Sequence, residues 1–271
     1  MTTSWTHRSG VLWLRAAAFY VGLGACTAVM APGCVLLWPA PYRLRYRLVV
    51  AWTRFNLWWL KVCCGLDCSF EGLERIPSRP TIVMCKHQSA WETIAINMLF
   101  QPQVWVLKRE LLLIPILGWG LAALRPIAID RNAGAASARQ IVGQGADRLQ
   151  RGCWVVIFPE GTRVAAGTRS RYHVGAARLA SSTGYSVVPV AHNAGDYWPR
   201  RAFRKRPGTI RMIVGPTIDT TDKRAKQITR EAEAWIEQTV AELRADDGLD
   251  TSYYLAENST AQTHVQATQN R

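Results

Sequence analysis

Charged and apolar positions divide the chain before any single motif does. Residues 16–38 form 23 consecutive positions without a charge, preceded by Arg8 and Arg15. At 1.5 Å per residue, a helix over that run crosses a bilayer hydrocarbon core of about 30 Å. The run exceeds the roughly 7–15 apolar residues of a cleaved signal sequence. Pro32, Gly33 and Pro39 punctuate it, so the pattern predicts a retained anchor. A second apolar stretch, residues 48–66, includes Arg54 and Lys61 among several tryptophans and suits a helix at headgroup level. Two buried core helices are the alternative reading of this pair. Arg43, Arg45 and Arg47 fall in the connection and favour an embedded hairpin with connection and following domain on the cytoplasmic side.

Beyond Gly65 the pattern changes. Turn signals at Gly72, Pro77 and Pro80 precede strand-like apolar runs at 81–85, 103–107, 126–130, 154–158, 186–190 and 209–214. Helix-like segments near 90–99, 109–123, 135–150 and 171–183 alternate with them. Such alternation predicts an α/β domain over 70–220, its largely parallel sheet buried and flanked by helices. A membrane-associated two-helix element over 1–69 precedes it. Ile228, Ala232, Trp235, Ile236 and Leu243 recur at helical spacing and predict a final helix over 221–245 packed on the domain. The polar residues from 246 onward read as a tail, disordered from Glu257.

Charge sharpens the membrane reading. With 33 Lys and Arg against 19 Asp and Glu, the net charge is +14. Each basic residue near an anionic leaflet adds roughly 1 kcal/mol of attraction, so an anionic membrane surface is the expected partner. The run RRAFRKR at 200–206 has affinity for any polyanion, but Phe203 is its one aromatic and the chain opens on a membrane element. It reads as a solvated loop facing lipid headgroups or an acidic carrier protein, and no nucleic-acid partner is expected. Of seven cysteines, five lie in or beside the apolar front and none forms a Cys-x-x-Cys pair, which indicates reduced cytoplasmic thiols. Cys63, Cys64 and Cys68 have no neighbouring histidine, so neither metal nor resident cofactor is expected.

Four segments could carry chemistry. In MCKHQSAWETIAI, His87 and Glu92 are five apart, about 140° around a helix, and can meet only if His87 lies in the turn before the helix. Ser89-Ala90-Trp91-Glu92 matches the capping box that would make such a turn. Glu92 is then either a cap alone or a cap that also holds one imidazole nitrogen. In WVVIFPEGTR an apolar strand runs into Glu160, Gly161, Thr162 and Arg163; ligands gather at such strand ends, and arginine offers a fork for phosphate. In VLKRELLLIPILGWGL a strand end delivers Lys108 and Arg109, readable as a phosphate clamp or as solvated charges. In VVPVAHN, His192 ends a strand and reads as a satisfied structural histidine.

The ordered set KHQSAWE, KRELLLIPILGWG, FPEGTR and VVPVAHN resembles the four blocks of the glycerolipid acyltransferase family, over residues 70–219. The resemblance implies transfer of a fatty acyl group from a thioester on coenzyme A or acyl carrier protein to the hydroxyl of a lysophospholipid, at the cytoplasmic face of a membrane such as a bacterial inner membrane. The acceptor it suggests is the sn-2 hydroxyl of 1-acylglycerol-3-phosphate, with lyso-ornithine lipid or lysophosphatidylethanolamine as alternatives. It makes His87 the general base and Glu92, where the family usually has aspartate, its carboxylate partner. It assigns Arg163 and Lys108 to the acceptor phosphate and Glu160, Gly161 and Thr162 to the acceptor pocket. No Gly-x-Ser-x-Gly elbow is present, so transfer without a covalent enzyme intermediate is expected.

Overall fold

The computed structural model describes residues 9–130 and 133–252. Two helices open it, α1 (Ser9–Leu36) and α2 (Tyr42–Cys64), packed against each other. Among the described helices α1 alone is long and apolar enough to cross a membrane. Leu14, Val21, Val29 and Leu36 stand exposed along it, while Phe19, Ala31 and Cys34 are buried. Two helices stand where a membrane-associated pair was expected, but the apolarity needed for crossing belongs to α1 alone among the described helices. On α2, Phe55, Trp58 and Val62 face outward while Arg45, Tyr46, Thr53, Asn56 and Leu60 are buried. Of the three arginines expected in the connection, all lie in the first turns of α2. Arg45 is turned inward, donating to the Ala123 carbonyl at 2.6 Å under Trp38 and Tyr42; only Arg43 and Arg47 are exposed.

Gly65 ends α2 in the left-handed region at φ 63, its N–H bonded to the Lys61 carbonyl. The chain then enters β1 (Leu66–Glu71), β2 (Ile82–Cys85), α3 (Trp91–Ala95), β3 (Gln103–Lys108), α4 (Leu117–Ala123), β4 (Ile127–Ile129) and α5 (Ala135–Gln150). β5 (Trp154–Ile157), α6 (Gly175–Thr183), β6 (Val187–His192), α7 (Ala194–Tyr197), β7 (Gly208–Val214) and α8 (Ala225–Asp246) complete it. The seven strands order as β1-β7-β6-β2-β5-β3-β4, and every pairing is parallel except β6 with β7. The α/β class and largely parallel sheet are as expected.

Alternation along the central strands builds two cores. Ile82, Met84, Val155 and Ile157 face Ile141, Leu179, Ile228 and Ile236 of α5, α6 and α8. Val83, Cys85, Val156, Val188 and Val190 face Phe19 of α1, Leu60 of α2 and Trp91 of α3. β2, β5 and β6 are buried throughout, which is why they read as unbroken apolar runs. Phe19 thus makes α1 partly a core helix even though most of its apolar span faces outward.

Three features differ from the sequence pattern. The edge strand β1 is absent from the sequence pattern because LDCSFE buries only Leu66. The helix expected over 109–123 is broken: residues 109–113 form a 3₁₀ turn, Pro115 lacks an N–H, Ile116 takes φ 64, and α4 starts at Leu117. The broken segment leaves Leu113 and Trp119 exposed, and α4 crosses α1 so closely that a Cβ on Gly120 would meet the Ala31 Cβ at 2.7 Å. Residues 247–252 are not a loose tail: the Asn193 amide and the Tyr197 hydroxyl donate to Asp247 at 2.9 and 3.1 Å. The disorder expected from Glu257 lies outside the described residues.

Because β2, β3, β5 and β6 share one direction, their carboxyl ends bring Lys86 and His87, Lys108, Glu160 and His192 to the same rim of the sheet.

Candidate active site

His87 stands two residues past β2 and four before α3, in the turn that the capping box makes. The Ser89 hydroxyl accepts the Trp91 N–H at 3.2 Å, and the Glu92 carboxylate returns to the Ser89 N–H at 2.8 and 3.0 Å and the Gln88 N–H at 2.9 Å. The same Oε1 lies 2.8 Å from His87 Nδ1. One buried carboxylate therefore caps the helix and holds the imidazole at once. Burial pushes the Glu92 carboxyl upward, but the charges and hydrogen bonds of His192, His87 and the Ser89 N–H outweigh it and hold it below its ordinary value. An ionised acceptor requires Nδ1 to carry the proton, which leaves the Nε2 lone pair free. Nε2 has no hydrogen-bond partner among the described residues, and the ring stacks on Phe158 with centroids 4.1 Å apart.

The loop after β5 fixes the His87 backbone from both sides. Its N–H donates to Glu160 Oε2 at 2.6 Å, and its carbonyl accepts the Val164 N–H at 2.8 Å. Phe158 to Gly161 closes as a turn, Gly161 N–H to Phe158 carbonyl at 3.0 Å, with Gly161 at φ 68. Glu160, expected to shape the acceptor pocket, has its carboxylate fully buried, 2.8 Å from Lys86 Nζ. Lys86 also reaches Glu237 of α8 at 2.6 Å, and the Tyr172 hydroxyl donates to the same Glu237 oxygen at 2.9 Å. Burial pushes the Glu160 carboxyl up to about 7 against the pull of Lys86. Burial disfavours charge on Lys86 as well, but the two carboxylates raise it overall. Lys86, Glu237 and Tyr172 escaped the sequence reading, because their partnership spans 151 residues and matches no local motif.

His192 is the satisfied histidine expected. Nδ1 accepts the Ala194 N–H at 3.2 Å, so Nε2 carries the proton and donates to the Lys86 carbonyl at 2.9 Å. Burial lowers its pKa below the ordinary value, with Glu92 3.9 Å away opposing the shift.

A cavity of about 490 Å³ opens at His87. Thr27 and Met30 of α1, Val49 and Trp52 of α2, and Leu107, Leu117 and Leu121 form its apolar wall. Thr162, Arg163, Arg200 and Arg201 line its polar side. A second cavity, about 580 Å³, lies between α5, α6 and the loop after β5 and shares Val106, Phe158 and Thr162 with the first. Glu160 and Gly161 both border this second cavity. Lys108, expected beside the acceptor phosphate, lines neither; it pairs with Glu110 at 3.5 Å on the surface. Trp105, Val106 and Leu107 of β3 line the first cavity, and Lys108 at the end of the strand lies beyond it.

An acyltransferase family model matches residues 67–193. A 1-acyl-sn-glycerol-3-phosphate acyltransferase of Pseudomonas aeruginosa is 41% identical over 240 residues, 87% of this chain and 93% of the relative. A lyso-ornithine lipid O-acyltransferase of the same organism is 29% identical over 139 residues, 51% of this chain and 53% of its own. The crystal structure of the acyltransferase PlsC from Thermotoga maritima shares the fold with a TM-score of 0.72 at 21% identity, covering 86% of this chain and 95% of that one. At 41% identity over nearly the whole of both chains, this protein belongs to the glycerolipid acyltransferase family and is an O-acyltransferase, similar within that family to the 1-acyl-sn-glycerol-3-phosphate acyltransferases.

Proposed function

We propose that the protein transfers a fatty acyl group from a thioester, acyl-coenzyme A or acyl carrier protein, to the sn-2 hydroxyl of 1-acylglycerol-3-phosphate, giving phosphatidic acid. The observation that carries this is the free Nε2 of His87, whose Nδ1 is held by Glu92 at 2.8 Å, beside a cavity that is apolar toward α1 and α2 and cationic at Arg163. That polarity suits a lysolipid with its chain toward the membrane helices and its phosphate toward the arginine. We assign the thioester donor to the second cavity, which shares Val106, Phe158 and Thr162 with the first.

The reaction follows from these positions. Nε2 takes the acceptor hydroxyl proton as its oxygen attacks the thioester carbonyl. Collapse of the tetrahedral intermediate breaks the carbon–sulfur bond, and the departing thiolate takes the proton back from the imidazolium. Glu92 remains ionised throughout and stabilises that imidazolium. No resident cofactor is assigned. We place the domain at the cytoplasmic face, where both thioester donors are made, with α1 and the exposed Leu113 and Trp119 in contact with lipid.

Membranes holding the protein acylate 1-acylglycerol-3-phosphate in a matrix of acceptors and donors, and His87→Ala removes that activity. Undiminished turnover by His87→Ala overturns the mechanism. Preference for lyso-ornithine lipid or lysophosphatidylethanolamine over the phosphomonoester overturns the choice of acceptor.

A further inference from the structure

We infer that Arg200 and Arg201, with Arg163, form the binding site for the acceptor's phosphomonoester; this rests on the reading just given. The sequence pattern placed these two arginines in a solvated basic run, but the chain between α7 and β7 carries them to the wall of the His87 cavity. There they meet Arg163, which the loop after β5 supplies from the other side. A separate, smaller cavity of about 220 Å³ is also lined by Arg163, Arg200 and Arg201, together with Tyr20, Ala90 and Trp198. Arg163, Arg200 and Arg201 thus line both a largely apolar cavity and a small polar one. No carboxylate lines either cavity. Among the described residues none of the three pairs with an acidic side chain, whereas Arg148, Arg211 and Arg244 all do. Arginines gathered without a counter-charge call for an anion, and the fork geometry suits phosphate oxygens.

The loop that presents them is held in place. Arg201 sits at φ 63, a left-handed conformation that a residue with a side chain rarely adopts unless its surroundings impose it. Trp198 N–H bonds to the Ala194 carbonyl at 2.9 Å, Ala202 N–H to Pro199 at 3.0 Å and Arg206 N–H to Tyr197 at 2.8 Å. Lys205, 3% exposed, supplies the anchor. Its ammonium donates to the Phe203 carbonyl at 2.9 Å and lies 3.5 to 5.6 Å from the ring centroids of Tyr20, Phe19, Trp198 and Phe203. Two of those rings belong to α1, so the helix that is apolar enough to enter the membrane also sets the loop that carries Arg200 and Arg201. The arrangement assigns to this loop the work the resemblance gave to Lys108.

The test is steady-state kinetics in detergent micelles with acceptor and donor varied in turn, on the full chain and on Arg200→Ala, Arg201→Ala and the double variant. The double variant raises KM for 1-acylglycerol-3-phosphate tenfold or more, leaves the donor KM within twofold, and does not slow acylation of 1-acylglycerol, which lacks the phosphate. Arg200→Lys/Arg201→Lys recovers part of the loss, which separates a charge effect from misfolding. Arg204→Ala, exposed in the same loop and lining neither cavity, keeps the wild-type KM. A raised donor KM with an unchanged acceptor KM assigns the arginines to the donor and overturns the inference, as does an unchanged KM for both. A loss equal to that of Arg204→Ala, tracking vesicle binding, overturns it in favour of general attraction to lipid. Wild-type protein inactive on 1-acylglycerol-3-phosphate refutes the acceptor reading itself, a result distinct from any of these.

Discussion

Changing Glu92 to glutamine is the sharpest trial of the shared cap and relay. The carboxylate takes four hydrogen bonds from three donors at 2.8 to 3.0 Å. An amide oxygen in the Oε1 position keeps the backbone donors and Nδ1, but sets an NH₂ against the Ser89 N–H and removes the negative charge beside the ring. At the observed 2.8 Å, an effective dielectric near 20 gives about 6 kcal/mol of attraction between carboxylate and imidazolium. The remaining neutral hydrogen bond recovers about 1 kcal/mol of this. The rest, about 4–5 kcal/mol, corresponds to a loss of roughly 10³–10⁴ in kcat. Stability falls less, by about 1.5–3 kcal/mol, the range for a charge-assisted hydrogen bond. The assay is saturating turnover of 1-acylglycerol-3-phosphate on wild type, His87→Ala, Glu92→Gln and the double variant, with melting curves to confirm that each is folded. Since Glu92 acts through His87, the double variant is no slower than His87→Ala. Turnover by folded Glu92→Gln within threefold of wild type, or losses that multiply in the double variant, refutes the reasoning. Glu92→Asp withdraws the carboxylate by one bond, about 1.5 Å. It lowers kcat by roughly 10²-fold unless the turn closes the gap.

Lys86→Met leaves Glu160 and Glu237 buried without their cation and destabilises the protein by about 3–5 kcal/mol in a detergent melt; a loss under 1 kcal/mol contradicts the buried network. Lys108→Ala, exposed and paired with Glu110, changes KM for the acceptor less than twofold, and a tenfold rise contradicts its placement outside the cavity. His192 is held neutral, its pKa lowered from 6.5 by burial, so the unfolded chain binds a proton below pH 6.5 that the folded chain refuses. The stability this contributes is complete above pH 6.5 and is lost as pH falls. His192→Asn therefore flattens the dependence of melting temperature on pH between 5 and 6.5, and an unchanged slope contradicts a neutral His192.

What could be read from the sequence follows how local the physics is. The central strands were legible because burial on both faces leaves no room for a charge in Val187 to Val190 or Trp154 to Ile157. The His87 turn was legible because a capping box is a four-residue device, and the same geometry that starts α3 leaves His87 in the turn before it. Edge strand β1 was not, because a strand paired on one side needs little burial. The break at Ile116 was foreshadowed by Pro115, but the φ of 64 that follows is a tertiary outcome.

Two site residues have partners that the motifs do not show. Glu160 and Lys108 were given ligand roles, yet the Glu160 carboxylate is committed to a distant partner and Lys108 to a near one. Glu160 answers to Lys86 across the sheet, and Lys86 in turn to Glu237 at the far end of the chain, so a carboxylate in a ligand-like motif is consumed in holding the His87 backbone. Lys108 pairs with Glu110 beyond the cavity that Trp105, Val106 and Leu107 of the same strand line. If phosphate recognition passes to Arg200 and Arg201, the cation count at the acceptor is restored from a loop that resembles none of the four motif blocks. That loop is anchored on α1 through Lys205 and its ring of aromatics. Membrane attachment and substrate recognition then depend on the same helix, and a change to Phe19 or Tyr20 reaches the chemistry through the arginines rather than through the anchor.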